Sequence, residues 1–281
     1  MSLLQRLFRL NEHGTSVRTE LLAGVTTFLT MSYIVFINPA ILGTTGMDPG
    51  AVFVATCLAA AIGSAVIGLA ANYPVGMAPG MGLNAFFAFT VVGAAGLPWQ
   101  QALAAVLISG IVFLLLSLTG ARRWLVDGIP ASLRSAIVAG IGLFLAIIAL
   151  QKSGVVVGDP DTLVKLGPMD SAPPLLALGG FLLIAILEAR RVRGAILIGI
   201  LSVTAIAWAM GLVQWQGLMS LPPSLAPTFG QLDLAGLLHW QDGAAWSVLL
   251  QVVLVFVLVE VFDATGTLYG VHIKMNARNE N

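Results

Sequence analysis

Long apolar runs separated by short polar breaks dominate the sequence, and several of them have the length of a membrane-spanning helix. A bilayer core needs about 20 apolar residues in a helix, and a helix satisfies its own backbone hydrogen bonds in lipid. Apolar residues make up 58% of the chain and charged residues 9%, whereas a soluble domain is about 25% charged. The balance of thirteen basic and thirteen acidic residues excludes a nucleic-acid binder and an acidic disordered tail. The sequence therefore predicts an all-α polytopic membrane protein.

About eight transmembrane spans are predicted, of which the third is interrupted by Gly and Pro and the sixth is short. The runs cover 21–42, 51–71, 75–92, 102–118, 133–150, 175–187, 195–213 and 247–271. The first run is longer than the apolar core of about 7–15 residues in a cleavable signal peptide, so it is a first span. We expect a cytoplasmic leader at 1–19, a transmembrane domain at 20–271 and a polar tail at 272–281.

The basic residues predict the orientation of the chain in the membrane. With the N-terminus in the cytoplasm, only Lys152 and Lys165 lie in outer segments. The eleven inner ones are Arg6, Arg9, Arg18, Arg122, Arg123, Arg134, Arg190, Arg191, Arg193, Lys274 and Arg278. This bias follows the positive-inside rule and supports both the number of spans and a cytoplasmic N-terminus.

The third run contains a candidate break in the helix. Pro79 stands between Gly76, Gly80 and Gly82, so a continuous helix would lose a backbone hydrogen bond and gain flexibility. Interrupted spans of this kind often mark the binding site of a transporter. Asn84 would then begin the second half-helix, with an amide that donates and accepts hydrogen bonds. Close packing of the small residues is the alternative interpretation.

The last run carries two acidic residues, Glu260 and Asp263, spaced so that they share one helix face. A carboxylate near the bilayer centre costs about 2.5–3.5 kcal/mol, so both should face the protein interior. Such a pair can bind a proton or accept hydrogen bonds from a polar ligand. Thr267, in the turn that follows, adds a small hydroxyl-bearing surface. Alternatively the span ends near Val259 and the acids lie at the inner interface.

Hydroxyl residues such as Thr30, and the pair Asn38-Pro39, lie within the first run. Hydroxyls on membrane helices usually bond back to the preceding turn, and Asn-Pro usually marks a helix end. Lining a cavity is the alternative role, and it makes Thr30 a candidate binding residue.

Signatures of catalysis or metal binding are missing from the sequence. The three histidines are scattered without ligand spacing, and Cys57 is the single cysteine. The GxGxxG-like segment at 80–85 lies inside an apolar run, and position 105 is Ala where a dinucleotide fold needs an acid. We expect no cofactor, no metal and no enzymatic activity.

Three segments together carry a resemblance to a known family. FLTMSYIVFINPAIL, NYPVGMAPGMGLNAFFAFTVV and FVLVEVFDATGTLYGV resemble the adenine/guanine/hypoxanthine permeases of the xanthine/uracil permease superfamily, nucleobase:cation symporters of the ascorbate-transporter type. The resemblance implies about fourteen spans in two inverted seven-span repeats. This chain would hold the first repeat plus one helix, with a short extended segment in the broken third span.

The same resemblance implies a function and a site. It implies import of purine nucleobases (adenine, guanine or hypoxanthine) across the inner (plasma) membrane by proton symport, with Na+ coupling and a homodimer left open. Asn84, Glu260 and Asp263 match the family's span-three asparagine and its paired span-eight acids, although many relatives have Asp where this chain has Glu260. Both acids are candidates for proton coupling, and Gly82, Thr30 and Thr267 complete the predicted binding set. Because family members continue for six more spans, the alternative is a C-terminally truncated, transport-inactive fragment.

Overall fold

The fold is mostly helical, as the apolar runs predict. The computed structural model describes residues 8, 10, 14–120, 130–192, 194–214, 217, 221–238, 246–247 and 249–264. The predicted site residue Thr267 and the predicted tail at 272–281 lie outside these residues.

Among the described residues, the first half of the chain contains the short 3-10 helix Gly43–Thr45 and five α-helices, with a break in the third predicted span. The α-helices are α1 (Val17–Met31), α2 (Ile34–Leu42), α3 (Pro49–Ala70), α4 (Met81–Ala85), which continues as a π-helix (Phe86–Ala94), and α5 (Trp99–Leu118). The first turn of α1 begins at Ser16, whose hydroxyl accepts a hydrogen bond from the Thr19 N–H at 3.2 Å. Asp48 caps α3 in the same way, accepting from the Ala51 N–H at 2.7 Å.

The second half adds helices on the remaining runs, a small hairpin between two of them, and one short helix between the last two runs that the sequence does not predict. The elements are α6 (Ala131–Lys152), β1 (Val156–Asp159), β2 (Leu163–Leu166), α7 (Ala172–Ala189), α8 (Ala195–Ala209), α9 (Leu234–Leu238) and α10 (249–264). The strands pair antiparallel, with Val156 opposite Leu166 and Asp159 opposite Leu163. The hairpin is an addition to the all-α architecture that the sequence predicts.

In the part of the chain that the structure describes, four helical stretches are long and apolar enough to cross a bilayer: Val17–Thr45, Pro49–Ala70, Trp99–Leu118 and Ala172–Ala189. Shorter apolar helices cover Met81–Ala94, Gly142–Lys152 and Ala195–Ala209. Most of the large apolar side chains on the long helices are exposed in the isolated chain, as lipid-facing side chains would be. The chain is an integral membrane protein, and the total of eight spans stays a prediction.

The pair Asn38-Pro39 does not end a helix, although the sequence suggests that it should. The helix is interrupted at Ser32 and Tyr33, whereas Pro39 lies inside α2, which ends only at Leu42. The Asn38 amide donates a hydrogen bond to the Thr56 hydroxyl of α3 at 2.7 Å, and both side chains are buried. Asn38 therefore ties α2 to α3 instead of ending a helix.

The chain divides into two compact units. The first consists of Met1–Pro39, Phe53–Pro79 and Ala146–Ser224, and the second of Ala40–Val52, Gly80–Leu145 and Leu225–Asn281. In the first unit, α7 and α8 pack closely because they meet at glycines: a Cβ at Gly180 would touch Val203, and one at Gly199 would touch Ile184.

The core of the second unit is formed by the π-helix, α5 and α10. Phe87 and Val91 of the π-helix are buried with small residues at the start of α5 and with Val252 and Phe256 of α10. Leu237 of the short helix α9 also enters this core. This packing holds α10 beside the half-helix that carries Gly82 and Asn84.

Candidate substrate-binding site

The third predicted span is broken where Pro and Gly predict it. Residues 72–80 form neither helix nor strand, and Gly80 is the N-cap of α4, with φ −73° and ψ 116° in the extended region. The Asn84 N–H donates to the Gly80 carbonyl at 3.2 Å, so Gly82 and Asn84 both lie in the first turn of the half-helix. The first N–H groups of a helix have no acceptor in the helix itself. The break therefore presents hydrogen-bond donors at this position.

The half-helix widens directly after its first turn. From Phe86 to Ala94 it is a π-helix, and the Ala95 N–H bonds to the carbonyl of Thr90, five residues earlier. π-helical turns are rare and occur frequently at functional sites. Here the π-helix contributes Phe86, whose ring lies 5.2 Å from the Phe256 ring of α10 in an edge-to-face arrangement. This contact fixes α10 against the half-helix.

Asp263 lies at the start of α4. It follows Phe256 by seven residues, about two helical turns, so the two side chains project from the same face of α10. A Cβ built on Gly80 would stand only 3.2 Å from Asp263 Oδ2. A carboxylate at a helix N-terminus is electrostatically favoured because the helix dipole is positive there. The structure thus brings together Asp263 and the half-helix that carries Gly82 and Asn84.

Glu260 occupies a neighbouring position on α10 and is half-buried. Val257 and Val261, which precede and follow Glu260 in the sequence, share one face of α10. They pack against apolar residues of α5, namely Val112, Phe113 and Leu116. Since Glu260 follows Phe256 by one turn, it lies between the face that contacts the π-helix and the face that contacts α5. α10 is helical through residue 264, past both acids, so the helix itself does not end near Val259. The position of the acids in the membrane stays a prediction.

Thr30 lies apart from these residues in the chain and belongs to the other unit. Its hydroxyl donates to the Thr27 carbonyl at 2.8 Å, and the Thr26 and Ser32 hydroxyls likewise donate to carbonyls of the preceding turn. These three hydroxyls therefore bond back to the preceding turn, as expected for hydroxyls on membrane helices. Thr30 retains its oxygen lone pairs but has its proton engaged.

Gly80 is a residue that the sequence-based set omits. The sequence marks it as part of the break, but its contact with Asp263 joins residues far apart in the chain and leaves no local signal. A metal site is not indicated, because no group of three or more His, Cys, Asp or Glu side chains within the described residues could hold an ion. The arrangement offers a carboxylate acceptor next to the backbone N–H donors at the start of a helix.

The apolar helices and the broken span define a polytopic membrane protein. A family model described as "Permease family" matches residues 18–280, and the chain belongs to this family. The predicted resemblance is thereby confirmed, and the family consists of transporters rather than enzymes.

Named relatives cover nearly all of this chain. It is 49% identical to the adenine permease AdeP of Escherichia coli over 99% of its length and 61% of the relative. It is 47% identical to the adenine permease AdeQ of the same organism, covering 95% of the chain and 59% of the relative. The guanine/hypoxanthine permease PbuG of Bacillus subtilis is 43% identical, with coverage of 99% and 64%. The chain therefore spans about three fifths of the length of these relatives.

Proposed function

We propose that the chain belongs to a secondary active transporter that imports purine nucleobases such as adenine, guanine or hypoxanthine. The observation that carries this proposal is the position of Asp263 against Gly80, at the start of the half-helix that bears Asn84. The relatives are named as adenine or guanine/hypoxanthine permeases, which supports a purine as the ligand.

In this proposal each group of the site has a distinct role. The Asp263 carboxylate accepts hydrogen bonds from N–H groups of the base, and the Asn84 amide both donates and accepts. Glu260 is the second acid of the pair. It is half-buried and lies on α10 between the side that packs on the π-helix and the side that packs on α5. Gly82 leaves its own position in the first turn of α4 without a side chain, and Thr30 and Thr267 remain proposed contributors.

Proton coupling follows from the same pair of acids. A carboxylate inside a membrane span is a default candidate for a proton pathway, and a proton on Glu260 or Asp263 removes a negative charge that is costly in lipid. Proton binding would then favour the substrate-loaded state and its movement across the membrane. The basic-residue bias supports a cytoplasmic N-terminus in the inner (plasma) membrane, and we propose the transmembrane domain at 20–271.

Uptake of radiolabelled purines in cells that lack their own purine carriers tests the proposal. We expect saturable uptake that Glu260→Gln, Asp263→Asn or Asn84→Ala reduces about tenfold to hundredfold, because each removes a hydrogen bond to a charged or polar ligand. Glu188→Gln is the matched control, since Glu188 is an exposed carboxylate at the end of α7, and it should retain uptake. Normal uptake in Glu260→Gln and Asn84→Ala at equal membrane levels would contradict the assignment.

Two further arms resolve the finer points. A protonophore and replacement of Na+ by choline decide between proton and sodium coupling. Because the chain spans about three fifths of AdeP, uptake is measured for the 281-residue chain and for a fusion with the part of AdeP that it does not match. Uptake only in the fusion would favour the alternative of an inactive fragment for the chain by itself, while light scattering of the purified protein tests for a homodimer.

A further inference from the structure

We propose that Ser64 of α3 is a positioning residue of the transport site, because its hydroxyl holds the unwound backbone of the third span at Met77. Ser64 Oγ accepts a hydrogen bond from the Met77 N–H at 2.8 Å and lies 3.4 Å from the Met77 carbonyl, to which it donates. This inference rests on the proposed function and adds a residue outside the predicted binding set.

The need for such an anchor follows from the break itself. A helix satisfies every backbone group internally, whereas an unwound segment in a membrane must find partners elsewhere. Within residues 72–80, the Val75 N–H bonds to the Tyr73 carbonyl of the same segment at 2.8 Å. Met77 instead bonds a side chain from another helix. Ser64 therefore stabilises the unwound form specifically, since a helical third span would not need its hydroxyl.

Close contacts at glycines support the same placement. A Cβ at Gly63, the residue before Ser64, would lie 3.2 Å from the Met77 Cβ. A Cβ at Gly76 would lie 2.9 Å from Thr27 Cγ2 and 3.1 Å from Met31 Sδ of α1. The absence of side chains at these two positions lets the segment lie directly against α1 and α3. Ser64 then determines which residue of the unwound segment lies beside α3, because a hydrogen bond requires one particular partner whereas apolar contact does not.

The hydrogen bond between Ser64 and Met77 affects the site through the short stretch of chain that joins Met77 to α4. Met77 precedes Gly80 by three residues, and Pro79 between them has a φ that is nearly fixed. Few rotatable bonds therefore separate the anchored residue from the N-cap of α4. Loss of the anchor should increase the conformational freedom of the residues that lead into α4 and weaken binding, with a smaller effect on the transport steps after binding.

Hydrogen–deuterium exchange of the membrane-embedded full chain tests the anchor without relying on transport. We expect Ser64→Ala to accelerate exchange of the Met77 amide by about fivefold, the effect of losing one hydrogen bond. Ser64→Thr keeps the hydroxyl and should keep the protection. Ser109→Ala is the matched control, because the Ser109 hydroxyl donates to the Val106 carbonyl of its own helix. Unchanged exchange at Met77 in Ser64→Ala would overturn the proposal.

Uptake kinetics then test whether the anchor serves the site. In Ser64→Ala we expect KM for the purine to rise about fivefold with kcat within about twofold, and Ser64→Thr to restore KM. Faster exchange with an unchanged KM would overturn the positioning role. If the parent chain and its fusion with AdeP show no purine uptake, the proposed function fails, and the exchange experiment still decides whether Ser64 anchors the segment.

Discussion

The contact between Gly80 and Asp263 makes a quantitative prediction for Gly80→Ala. The backbone of Gly80 is in the extended region that any residue adopts, so the new methyl group meets no backbone strain. It would instead stand 3.2 Å from Asp263 Oδ2, with Leu83 Cδ1 next at 4.0 Å. The carboxylate must move by a few tenths of an ångström, and overpacking of this kind costs about 1–3 kcal/mol. We expect the lower end of that range, because a side chain can yield more easily than backbone.

A double-mutant cycle isolates the contact from other effects of the substitution. Ala is also a poorer N-cap than Gly, but that difference is the same whether or not residue 263 carries a carboxylate. In an Asp263→Ala background the cost of Gly80→Ala should therefore fall by at least about 0.5 kcal/mol, the usual size of coupling between touching residues. The free energy of unfolding is measured by titrating the protein in mixed micelles with SDS while tryptophan fluorescence monitors the unfolding.

A matched glycine provides the control for this experiment. At Gly110, within α5, an alanine methyl group would meet no atom within 4 Å apart from its chain neighbours and the nearby backbone of its own helix, and Gly110→Ala should stabilise the helix by up to about 1 kcal/mol. Equal costs of Gly80→Ala with and without the Asp263 carboxylate would refute the placement of Asp263 at the start of α4. The proposed site would then lose the observation on which it depends.

Two further predictions concern contacts outside the site. Asn38→Ala should lower the free energy of unfolding by about 1–3 kcal/mol, because it leaves the buried Thr56 hydroxyl without its amide donor. Thr204→Ala is the control: it removes an exposed hydroxyl bonded within its own helix and should change the free energy of unfolding little. Equal effects of the two substitutions would contradict the role given to Asn38. In the hairpin, the hydrogen bond from Lys165 holds the pKa of Asp159 below its usual 3.8, so the stabilisation is present above pH 3.8 and is lost as the pH falls through the lowered pKa. Carboxyl-carbon NMR should show that Lys165→Met raises the Asp159 pKa and that Lys152→Met does not.

Much of the helical architecture could be predicted from the sequence, because apolar length alone selects helices in lipid. The predicted runs at 51–71 and 102–118 correspond to Pro49–Ala70 and Trp99–Leu118. The break in the third span was predictable for the same kind of local reason, since Pro79 and the flanking glycines act on the backbone at their own positions. The cost of charge in lipid points to Glu260 and Asp263, the break points to Asn84, and the family resemblance implies that the three residues belong to one site.

Features that depend on contacts between distant segments could not be predicted in this way. The helix of the first span is interrupted at Ser32 and Tyr33 and not at Pro39, and the Asn38 amide, next to Pro39, bonds to α3. The partnership of Ser64 with Met77 likewise requires two segments thirteen residues apart to be placed side by side. The hairpin strand Leu163–Leu166 is a short run with an exposed side chain at every position, so it lacks the alternation that marks a strand in sequence.

The β1–β2 hairpin is a suitable place to insert an epitope for imaging a protein of this size. Its strands pair at four positions and are tied by the Lys165–Asp159 ion pair at 2.9 Å, which restrains a tip whose residues from Pro160 to Leu163 are exposed. Exposed loop tips accept inserted sequences better than other parts of a fold. A rigid epitope grafted between Asp159 and Leu163 would give an antibody fragment a firm attachment point, and particles of a small membrane protein could then be aligned by electron microscopy.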